Sequence, residues 1–334
     1  MSYKIFKGHN LYQLLIYLLI TKEEERYFFL SKKNLPNKVK EKIELTDKYI
    51  YLLENEEKKI SFLDKTIFLL KKYLYYKIVF YGKYKFLFGS EILGDSNDNI
   101  FFIKNFKISI IEDGIGTYDY INSRKDLNLE ENDKKKEKIK KKIKFFIKNF
   151  VNLIFFQNFE INNYHDKKIS KFYLTGIKKI PDILYQKTNI IELKKLWNEK
   201  TEEEKEKILR IFNFNKNILK KIRNKKFILF TQPLEAREIS EDKKIKIYAN
   251  IISNYDKRFL ILKKHPREKT DYKKYFKDVT IIEEEFPAEL FYLLNVEFDK
   301  VITLFSTAVF GGASKTKIDF YGIKLDSKLL KTLK

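Results

Sequence analysis

The chain has 334 residues, of which 44% are hydrophobic, so it can fill two cores of ordinary size and is not a disordered polymer. Its formal net charge of +23 at pH 7 gives it a surface that attracts phosphates and other anions. It contains no cysteine, which excludes disulfides and thiolate metal sites, and its three histidines (His9, His165 and His265) are too far apart in sequence for a local zinc motif.

The N-terminal half alternates predicted strands and helices. It begins with a strand over residues 3–7, followed by the loop Gly8-His9-Asn10 and by a helix that continues to Ile20. Further strands are predicted at 26–30, 48–53, 77–81, 107–111 and 172–174, and helices near 61–76 and 133–155. This pattern is typical of an α/β domain, which we assign to residues 1–185.

The C-terminal half begins with a charged helical stretch over residues 192–219, and we place the crossover between two domains at about 190–222. The alternation then resumes, with strands at 226–231, 258–263, 279–282, 300–304 and 317–321 and helices at 240–253 and 287–294. This predicts a second α/β domain over residues 186–334. Two α/β domains facing a cleft are the expected architecture.

A lysine-rich block over residues 134–144 lies within the predicted helix 133–155. Its lysines alternate with Ile and Glu at helical spacing, which is typical of a solvated helix face. The alternative is a face that rests on anionic lipid, at the inner face of the cytoplasmic membrane. The apolar run 11–20 is too short to span a bilayer and has no small-residue cleavage site, so we expect a cytoplasmic, peripherally associated protein.

Five short polar segments follow predicted strands or open a predicted helix. They are Glu112-Asp113-Gly114, Thr231-Gln232-Pro233, Lys264-His265-Pro266-Arg267, Pro287-Ala288-Glu289 and Ser306-Thr307. Each alone is typical of ordinary structure, such as a turn, a strand end or a helix cap. Ligands of open α/β sheets lie outside the carboxyl ends of the strands, so their joint occurrence indicates a binding site.

These residue types suit the transfer of a group from a phosphate leaving group. A carboxylate such as Asp113 can take a proton from an incoming hydroxyl. His265, with lysine and arginine around it, suits a phosphate, to which it would donate a hydrogen bond or a proton. Ser306 and Thr307 could open a helix at an anion, and Glu289, although also an ordinary helix-start residue, could accept from both hydroxyls of a ribose.

Several common nucleotide motifs do not occur. The chain has no Gly-x-x-x-x-Gly-Lys-Ser/Thr loop and no Gly-x-Gly-x-x-Gly after its first strand, which disfavours a P-loop NTPase and a dinucleotide oxidoreductase. It has no Asp-x-Asp pair, the usual carboxylate clamp for a divalent ion on a nucleotide diphosphate.

Together the polar segments resemble glycosyltransferase family 52, the bacterial lipooligosaccharide sialyltransferases. The matching segments are residues 111–118, 230–234, 264–268, 286–290 and 305–308. The acidic-Asp-Gly and His-Pro elements also resemble those of other bacterial sialyl- and polysialyltransferases. The resemblance implies a GT-B fold, that is, two Rossmann-like α/β domains facing an interdomain cleft, with the acceptor on the N-terminal domain and CMP-sialic acid mainly on the C-terminal one. It also implies inverting transfer without a metal or cofactor.

The resemblance also implies roles for individual residues. Asp113 would be the general base on the acceptor galactose, and His265 the group that acts on the CMP phosphate. The other donor-side residues would be Glu289 on the ribose, Ser306 and Thr307 on the phosphate, and Lys264, Pro266 and Gln232 around them. The acceptor side would include Glu112, Gly114, His9 and Asn10. Residues 119–184 match no pattern, so the resemblance leaves acceptor specificity open.

The expected activity is transfer of N-acetylneuraminic acid from CMP-Neu5Ac to a terminal galactose of lipooligosaccharide or an oligosaccharide, with an α2,3 linkage. The nearer alternative is a family member that transfers another sugar, such as glucose from UDP-glucose. A nucleic-acid-binding protein would explain the charge but not the strand-end residues, so we expect no nucleic acid partner. The resemblance is also compatible with a homodimer.

Overall fold

The structure is a computed structural model and describes residues 2–31, 35–52, 71, 74–94, 105–114, 116–118, 121, 169–237, 239–304 and 316–322. The chain divides into two compact units. The first contains Met1–Leu35 and Ile43–Leu196, and the second contains Pro36–Lys42 and Trp197–Lys334.

Among its described residues, the first unit has a parallel sheet of seven strands in the order β3-β2-β1-β4-β5-β6-β7. The strands are β1 (Lys4–Lys7), β2 (Arg26–Leu30), β3 (Tyr49–Tyr51), β4 (Glu91–Gly94), β5 (Lys107–Ile111), β6 (Ile169–Leu174) and β7 (Thr188–Ile190). The helices of known bounds in this part of the sequence are α1 (Leu11–Ile20) and α2 (Asn37–Glu44), and residues 37–42 of α2 belong to the second unit. The order reverses between β1 and β4, and ligands of open α/β sheets bind at such a switch point.

The described part of the second unit repeats this design with five parallel strands in the order β10-β9-β8-β11-β12. They are β8 (Phe227–Phe230), β9 (Leu260–Lys263), β10 (Thr280–Ile282), β11 (Lys300–Thr303) and β12 (Lys317–Phe320). The helix α3 (Leu193–Glu199) crosses the boundary between the two units, and the helices that follow it are α4 (Glu202–Ile211), α5 (Asn217–Ile222), α6 (Glu241–Ile252) and α7 (Glu289–Leu293). The switch point here lies between β8 and β11.

The predicted α/β class is therefore confirmed, and most predicted elements appear within a few residues of their expected bounds. The charged stretch 192–219 consists of three helices because local signals interrupt it. Thr201 and Glu204 form a capping box at the start of α4, and Asn213 adopts a positive φ of +48 after its end.

The strand predicted at 77–81 is wrong, because the chain forms a π-helix over Tyr76–Phe80. Ile78 and Val79 are β-branched and favour a strand when only a short run is considered. Tyr76 and Phe80, four residues apart, are instead buried on one side with their ring centroids 5.4 Å apart. This helical spacing packs both rings against the first sheet.

Two strands were not predicted. The strand β4 begins with Glu91 and ends with Gly94, residue types that are typical of a loop. In the structure Glu91 is buried and hydrogen-bonded to Lys4 and Ser109. The strand β7 pairs with β6, so the predicted domain boundary between residues 185 and 186 lies inside the first unit.

The predicted helix 133–155, its lysine block 134–144 and most of the predicted helix 61–76 lie outside the described residues. Within the described ranges, no helix combines the length and the apolar character needed to cross a bilayer.

The end of β4 approaches the end of β1 so closely that it requires glycine. Gly94 has a φ of +142, and a Cβ there would lie 2.2 Å from the carbonyl oxygen of Lys7. The neighbouring atom is backbone, so it cannot move aside without shifting the strand. This contact lies at the switch point of the first sheet.

We expect Gly94→Ala to lower the free energy of unfolding by more than about 2 kcal/mol, because it combines backbone strain with overpacking. Urea denaturation followed by circular dichroism measures this change. Gly89→Ala is the matched control, since Gly89 also has a positive φ (+82) but a Cβ there would meet nothing within 4 Å. An equal loss in both variants would show that the contact with Lys7 is not the cause.

Candidate active site

The first candidate site lies at the carboxyl end of β5, where Glu112, Asp113 and Gly114 follow the strand. The backbone N–H of Glu112 still donates to the carbonyl of Tyr173 in β6 (3.1 Å), so the sheet ladder includes Glu112. Gly114 has a φ of +116, which only glycine adopts readily, and turns the chain. Asp113 is therefore the first side chain beyond the sheet.

Glu112 is fully buried, and its carboxylate accepts hydrogen bonds from three neighbouring segments. Its Oε1 accepts from the hydroxyls of Tyr12 (2.9 Å) and Thr175 (2.8 Å). Its Oε2 accepts from the backbone N–H of Thr175 (2.6 Å) and the hydroxyl of Tyr118 (2.7 Å). Burial and the adjacent Glu112 raise the pKa of Tyr118, which keeps that hydroxyl a donor. Glu112 thus ties the end of β5 to α1 and to the end of β6, and its place on the acceptor side stays a prediction.

Asp113 is partly exposed, and its two carboxylate oxygens have different surroundings. The hydroxyl of Thr117 accepts from the backbone N–H of Asp113 (2.9 Å) and donates to Oδ1 (2.5 Å). Oδ2 lies 3.7 Å from Nε2 of His9, and both side chains are about one-third exposed, at 33% and 36%. One oxygen is therefore held while the other faces an imidazole and solvent, an arrangement in which a carboxylate can accept a proton from a hydroxyl.

The loop between β1 and α1 is fixed by the first turn of α1. Asn10 is the N-cap, and its side-chain oxygen accepts from the backbone N–H of Gln13 (2.8 Å). The buried Gln13 side chain accepts from the backbone N–H of His9 (3.0 Å) and donates to the carbonyl of Ile111 (3.1 Å). These bonds tie the loop to the end of β5 and bring His9 to Asp113.

The second candidate site lies at the neighbouring carboxyl ends of β8 and β9. Thr231 follows β8, and its hydroxyl donates to the buried carboxylate of Glu268. The backbone N–H of His265, two residues after β9, donates to the Thr231 hydroxyl (3.0 Å) and to Oε2 of Glu268 (3.2 Å). Oε1 of Glu268 accepts from the hydroxyl of Tyr272 (2.7 Å). Glu268 therefore holds the loop that carries His265 on the sheet.

Glu268 belongs to a network of ion pairs centred on the buried Lys244. Burial raises the pKa of Glu268, while its donors and the ammonium of Lys244, 3.9 Å away, favour the ionised form. Burial lowers the pKa of Lys244, but contacts with Glu235 and Glu241 outweigh this and raise it overall. Lys244 is fully buried, and its Nζ also donates to Thr270. Each charge in this network has a partner of opposite sign.

The imidazole of His265 has a defined tautomer. The backbone N–H of Arg267 donates to Nδ1 (3.1 Å), so Nδ1 carries a lone pair and the neutral ring carries its proton on Nε2. Burial, and then the charges of Arg267 and Lys263, lower the pKa of His265 to about 4. At neutral pH the ring is an uncharged donor. Of the two actions predicted for it on a phosphate, hydrogen-bond donation fits this state.

Lys263, the last residue of β9, links two strand-end loops. It is buried, and its Nζ donates to the carbonyls of Lys264 (3.2 Å) and Glu284 (2.7 Å) and lies 4.4 Å from the ring centroid of Phe286. Burial lowers the pKa of Lys263 to about 8. Lys264 is half-buried and Arg267 is exposed at the surface beside His265.

The remaining predicted donor-side residues have more varied positions. Gln232 and Pro266 are half-buried in the loops after β8 and β9, and Glu289 is buried as the first residue of α7. Ser306 and Thr307 lie outside the described residues. In the part of the chain that the structure describes, no three His, Asp or Glu side chains are grouped as a metal ion would need.

A family model covers the part of the chain that contains the loops after β5 and after β9. The model of glycosyltransferase family 52 matches residues 95–329. The chain belongs to glycosyltransferase family 52. A relative in Haemophilus influenzae is 44% identical over 165 residues, which are 49% of this chain and 54% of that protein, so the match spans about half of the relative.

Solved sialyltransferases share the fold of this family 52 chain at low sequence identity. The GT-B domain of a Photobacterium damselae sialyltransferase has a TM-score of 0.57 at 14% identity, covering 100% of this chain and 96% of its own. A 2,6-sialyltransferase of Photobacterium sp. JT-ISH-224, in a complex with CMP and lactose, has a TM-score of 0.60 at 15% identity, covering 99% and 75%. An α-2,3-sialyltransferase of Photobacterium phosphoreum has a TM-score of 0.56 at 13% identity, covering 99% and 94%. The fold is of the GT-B type, as the resemblance implies.

Sequence reasoning missed the residues that hold the loops after β5 and after β9. Thr117 lies four residues after Asp113 and Glu268 three after His265, so spacing within the matched segments could have found them. Thr175 gave no such signal, because it lies 63 residues from Glu112 in sequence.

We expect the imidazole of His265 to titrate in the folded protein with a midpoint near pH 4. An unfolded histidine titrates near about pH 6.5, so the unfolded chain binds more protons between the two values and this group reduces stability as pH falls through that window. NMR titration of the histidine ring protons measures the midpoint, with His265→Gln to assign the resonance. A midpoint at or above pH 6.5 would contradict the assignment of a half-buried neutral donor.

Proposed function

We propose that this chain is an inverting, metal-independent sialyltransferase that moves N-acetylneuraminic acid from CMP-Neu5Ac to a terminal galactose. The observation that carries the proposal is a pair of strand-end groups, the oriented carboxylate of Asp113 and the neutral His265 with its proton on Nε2. Family membership supports glycosyl transfer. The CMP and lactose bound by a solved 2,6-sialyltransferase of the same fold support the donor and acceptor classes.

Asp113 would act on the acceptor. The galactose hydroxyl oxygen attacks the anomeric carbon of the sialic acid and forms the new C–O bond, while Asp113 takes the hydroxyl proton. The bond between that carbon and the phosphate oxygen of CMP breaks, and CMP leaves with the electron pair. Thr117 fixes one oxygen of Asp113, so the other is the proton acceptor.

His265 would act on the departing phosphate. The second pKa of a phosphate monoester is about 6, so CMP can leave as an anion at neutral pH without receiving a proton. A donor held close to the oxygen on which charge develops stabilises that transition state. The Nε2–H of neutral His265 supplies such a donor, and the cations Lys264 and Arg267 beside it add favourable charge.

The finer assignments follow the family pattern. We propose an α2,3 linkage and lipooligosaccharide as the natural acceptor. Glu289 would accept from the ribose hydroxyls, and Ser306 and Thr307 would bind the phosphate. His9 and Asn10 would line the acceptor side, because their loop is tied to the strand that carries Asp113.

We expect the protein to form sialyl-lactose and CMP from CMP-Neu5Ac and lactose in the presence of EDTA. Chromatography of the products measures both, and digestion with an α2,3-specific sialidase reports the linkage. UDP-glucose and UDP-galactose are the control donors. Turnover of a UDP-sugar without any sialoside would refute the donor and leave glycosyl transfer as the activity.

We expect Asp113→Asn to lower kcat by roughly 10²–10⁴-fold, because the amide keeps the shape of the side chain but cannot accept a proton. Its affinity for CMP, measured by calorimetry, should stay unchanged. Asp182→Asn is the control, since Asp182 is an exposed acid of the same unit outside the site. A kcat equal to that of the control would remove Asp113 as the base.

A further inference from the structure

Lys263, the last residue of β9, is buried although its side chain carries a charge. Its exposed fraction is 3%, and lysine is almost never buried to this extent unless its charge has partners. In the described part of the chain, both hydrogen bonds of its Nζ go to backbone carbonyls, those of Lys264 (3.2 Å) and Glu284 (2.7 Å). The two carbonyls belong to the loops after β9 and after β10, so a single ammonium group joins two strand-end loops.

The turn that follows β10 is fixed around this ammonium group. The carbonyl of Glu284 accepts from Nζ of Lys263 and also from the backbone N–H of Phe286 (3.2 Å). The ring centroid of Phe286 lies 4.4 Å from the same Nζ, which is a cation–π contact. The ring also packs edge-to-face against Phe214 and Phe291, with centroids 4.8 Å and 5.3 Å away. The turn is therefore held in place next to the loop after β9.

Each of the two loops leads to a residue that the proposed function assigns to the donor nucleotide. His265 follows Lys264 directly, and Glu289 lies three residues after Phe286 as the first residue of α7. We propose that Lys263, in its charged form, is a positioning residue that fixes these two loops relative to each other and so shapes the site for the phosphate and the ribose. This role rests on the proposed function, which assigns His265 to the phosphate and Glu289 to the ribose.

The charge of Lys263 depends on pH in the range where proteins are stable. Burial lowers the pKa of Lys263 to about 8, against the attraction of nearby carboxylates. The titratable groups that face it come from its own loop, from the turn after β10 and from α7: Lys264, His265, Glu284, Glu285 and Glu289. Its partners in the neighbouring strands, Phe230 and Ile282, carry no charge. Hydrogen bonds from a charged donor are roughly twice as strong as neutral ones, so the link between the loops weakens as pH rises through about 8.

Two other roles for Lys263 fit the structure less well. A lysine that binds phosphate directly presents its Nζ to the ligand, whereas this side chain is buried and its Nζ donates to two carbonyls. A lysine that only stabilises the fold would be replaced at little cost by an apolar residue, because burying a charge is unfavourable. A positioning role accounts for both the burial and the two carbonyl contacts.

NMR of the protein without nucleotide tests the contact itself. Lys264-His265 is the only Lys-His pair in the sequence, so labelling lysine carbonyl carbons and histidine nitrogens selects the Lys264 carbonyl. The amide of His265 is hydrogen-bonded and should therefore be protected from exchange at high pH. We expect the carbonyl shift to titrate with a midpoint near pH 8, and Lys263→Met to abolish this titration. A midpoint near that of an exposed lysine, about pH 10.4, would overturn the proposal.

Calorimetric titration with CMP tests the effect on the nucleotide site. We expect Lys263→Met to weaken CMP binding by at least about tenfold at neutral pH, because both carbonyls lose a charged donor. In the unaltered protein the affinity should fall as pH rises through about 8, and Lys263→Arg, which stays charged, should keep its affinity. Lys225→Met is the matched control, since Nζ of Lys225 also donates to a backbone carbonyl, that of Arg258 (2.6 Å), before the start of β8. It should bind CMP like the unaltered protein.

Three outcomes of the CMP titrations would overturn the proposal. They are unchanged affinity in Lys263→Met, an equal loss in Lys263→Met and Lys225→Met, and a loss in Lys263→Arg as large as that in Lys263→Met. Circular dichroism and melting midpoints check that each variant is folded, and the carbonyl titration of the unaltered protein decides the matter for any variant that is not.

UDP, titrated in the same way, separates this role from the proposed donor. Binding of UDP and not of CMP by the unaltered protein would refute the donor, whereas weaker UDP binding by Lys263→Met would still support the positioning role. If the unaltered protein bound neither nucleotide, both the proposed function and the role of Lys263 would be refuted. Failure of the positioning role alone would appear only as equal nucleotide affinity in the unaltered protein and in Lys263→Met.

Discussion

A buried carboxylate in each unit holds the strand-end loop that carries a candidate site residue. Glu112 joins the ends of β5 and β6 to α1, and Glu268 joins the ends of β8 and β9 to the loop of His265. A buried carboxylate is tolerated only when its lone pairs are filled, and hydrogen bonds to a charged group each contribute about 1.5–3 kcal/mol. The loops are therefore fixed by the same interactions that allow the charges to be buried. Asp113 and His265 depend on this constraint.

The two candidate residues differ in the groups that surround them. Asp113 is partly open to solvent, with one oxygen held by Thr117 and the other near His9, so it is suited to proton transfer with an incoming hydroxyl. His265 is half-buried beside cations, and burial and these charges lower its pKa to about 4, so its ring is an uncharged donor at neutral pH. The roles proposed for them, a base in one unit and a hydrogen-bond donor to phosphate in the other, thus rest on local surroundings and charge, and not on residue type alone.

The strand-end residues could be predicted because parallel strands are continuous apolar runs and the polar residue after each run stands out. The helical conformation of segment 77–81 could not be predicted, because a short β-branched run fits either a strand or a helix. The packing of Tyr76 against Phe80 decides between the two conformations. The strand β4 was not predicted because a charged residue, Glu91, lies in it. Glu91 can be buried there because Lys4 and Ser109, which are distant in sequence, donate hydrogen bonds to its carboxylate. The roles of Glu112 and Glu268 likewise depend on long-range donors. Local sequence therefore indicates the proposed reacting groups better than the residues that support them.

The hydrogen bonds of His265 have a consequence for ligand recognition. Its backbone N–H donates to a side chain from the neighbouring strand and to a fully buried carboxylate, so this loop residue shares the protection of the sheet. Its amide should exchange with solvent as slowly as those of the adjoining strands. A loop that is already ordered loses little conformational freedom when an anion arrives, so more of the interaction free energy appears as affinity. The rigidity of the sheet thus extends to the group that would meet the phosphate.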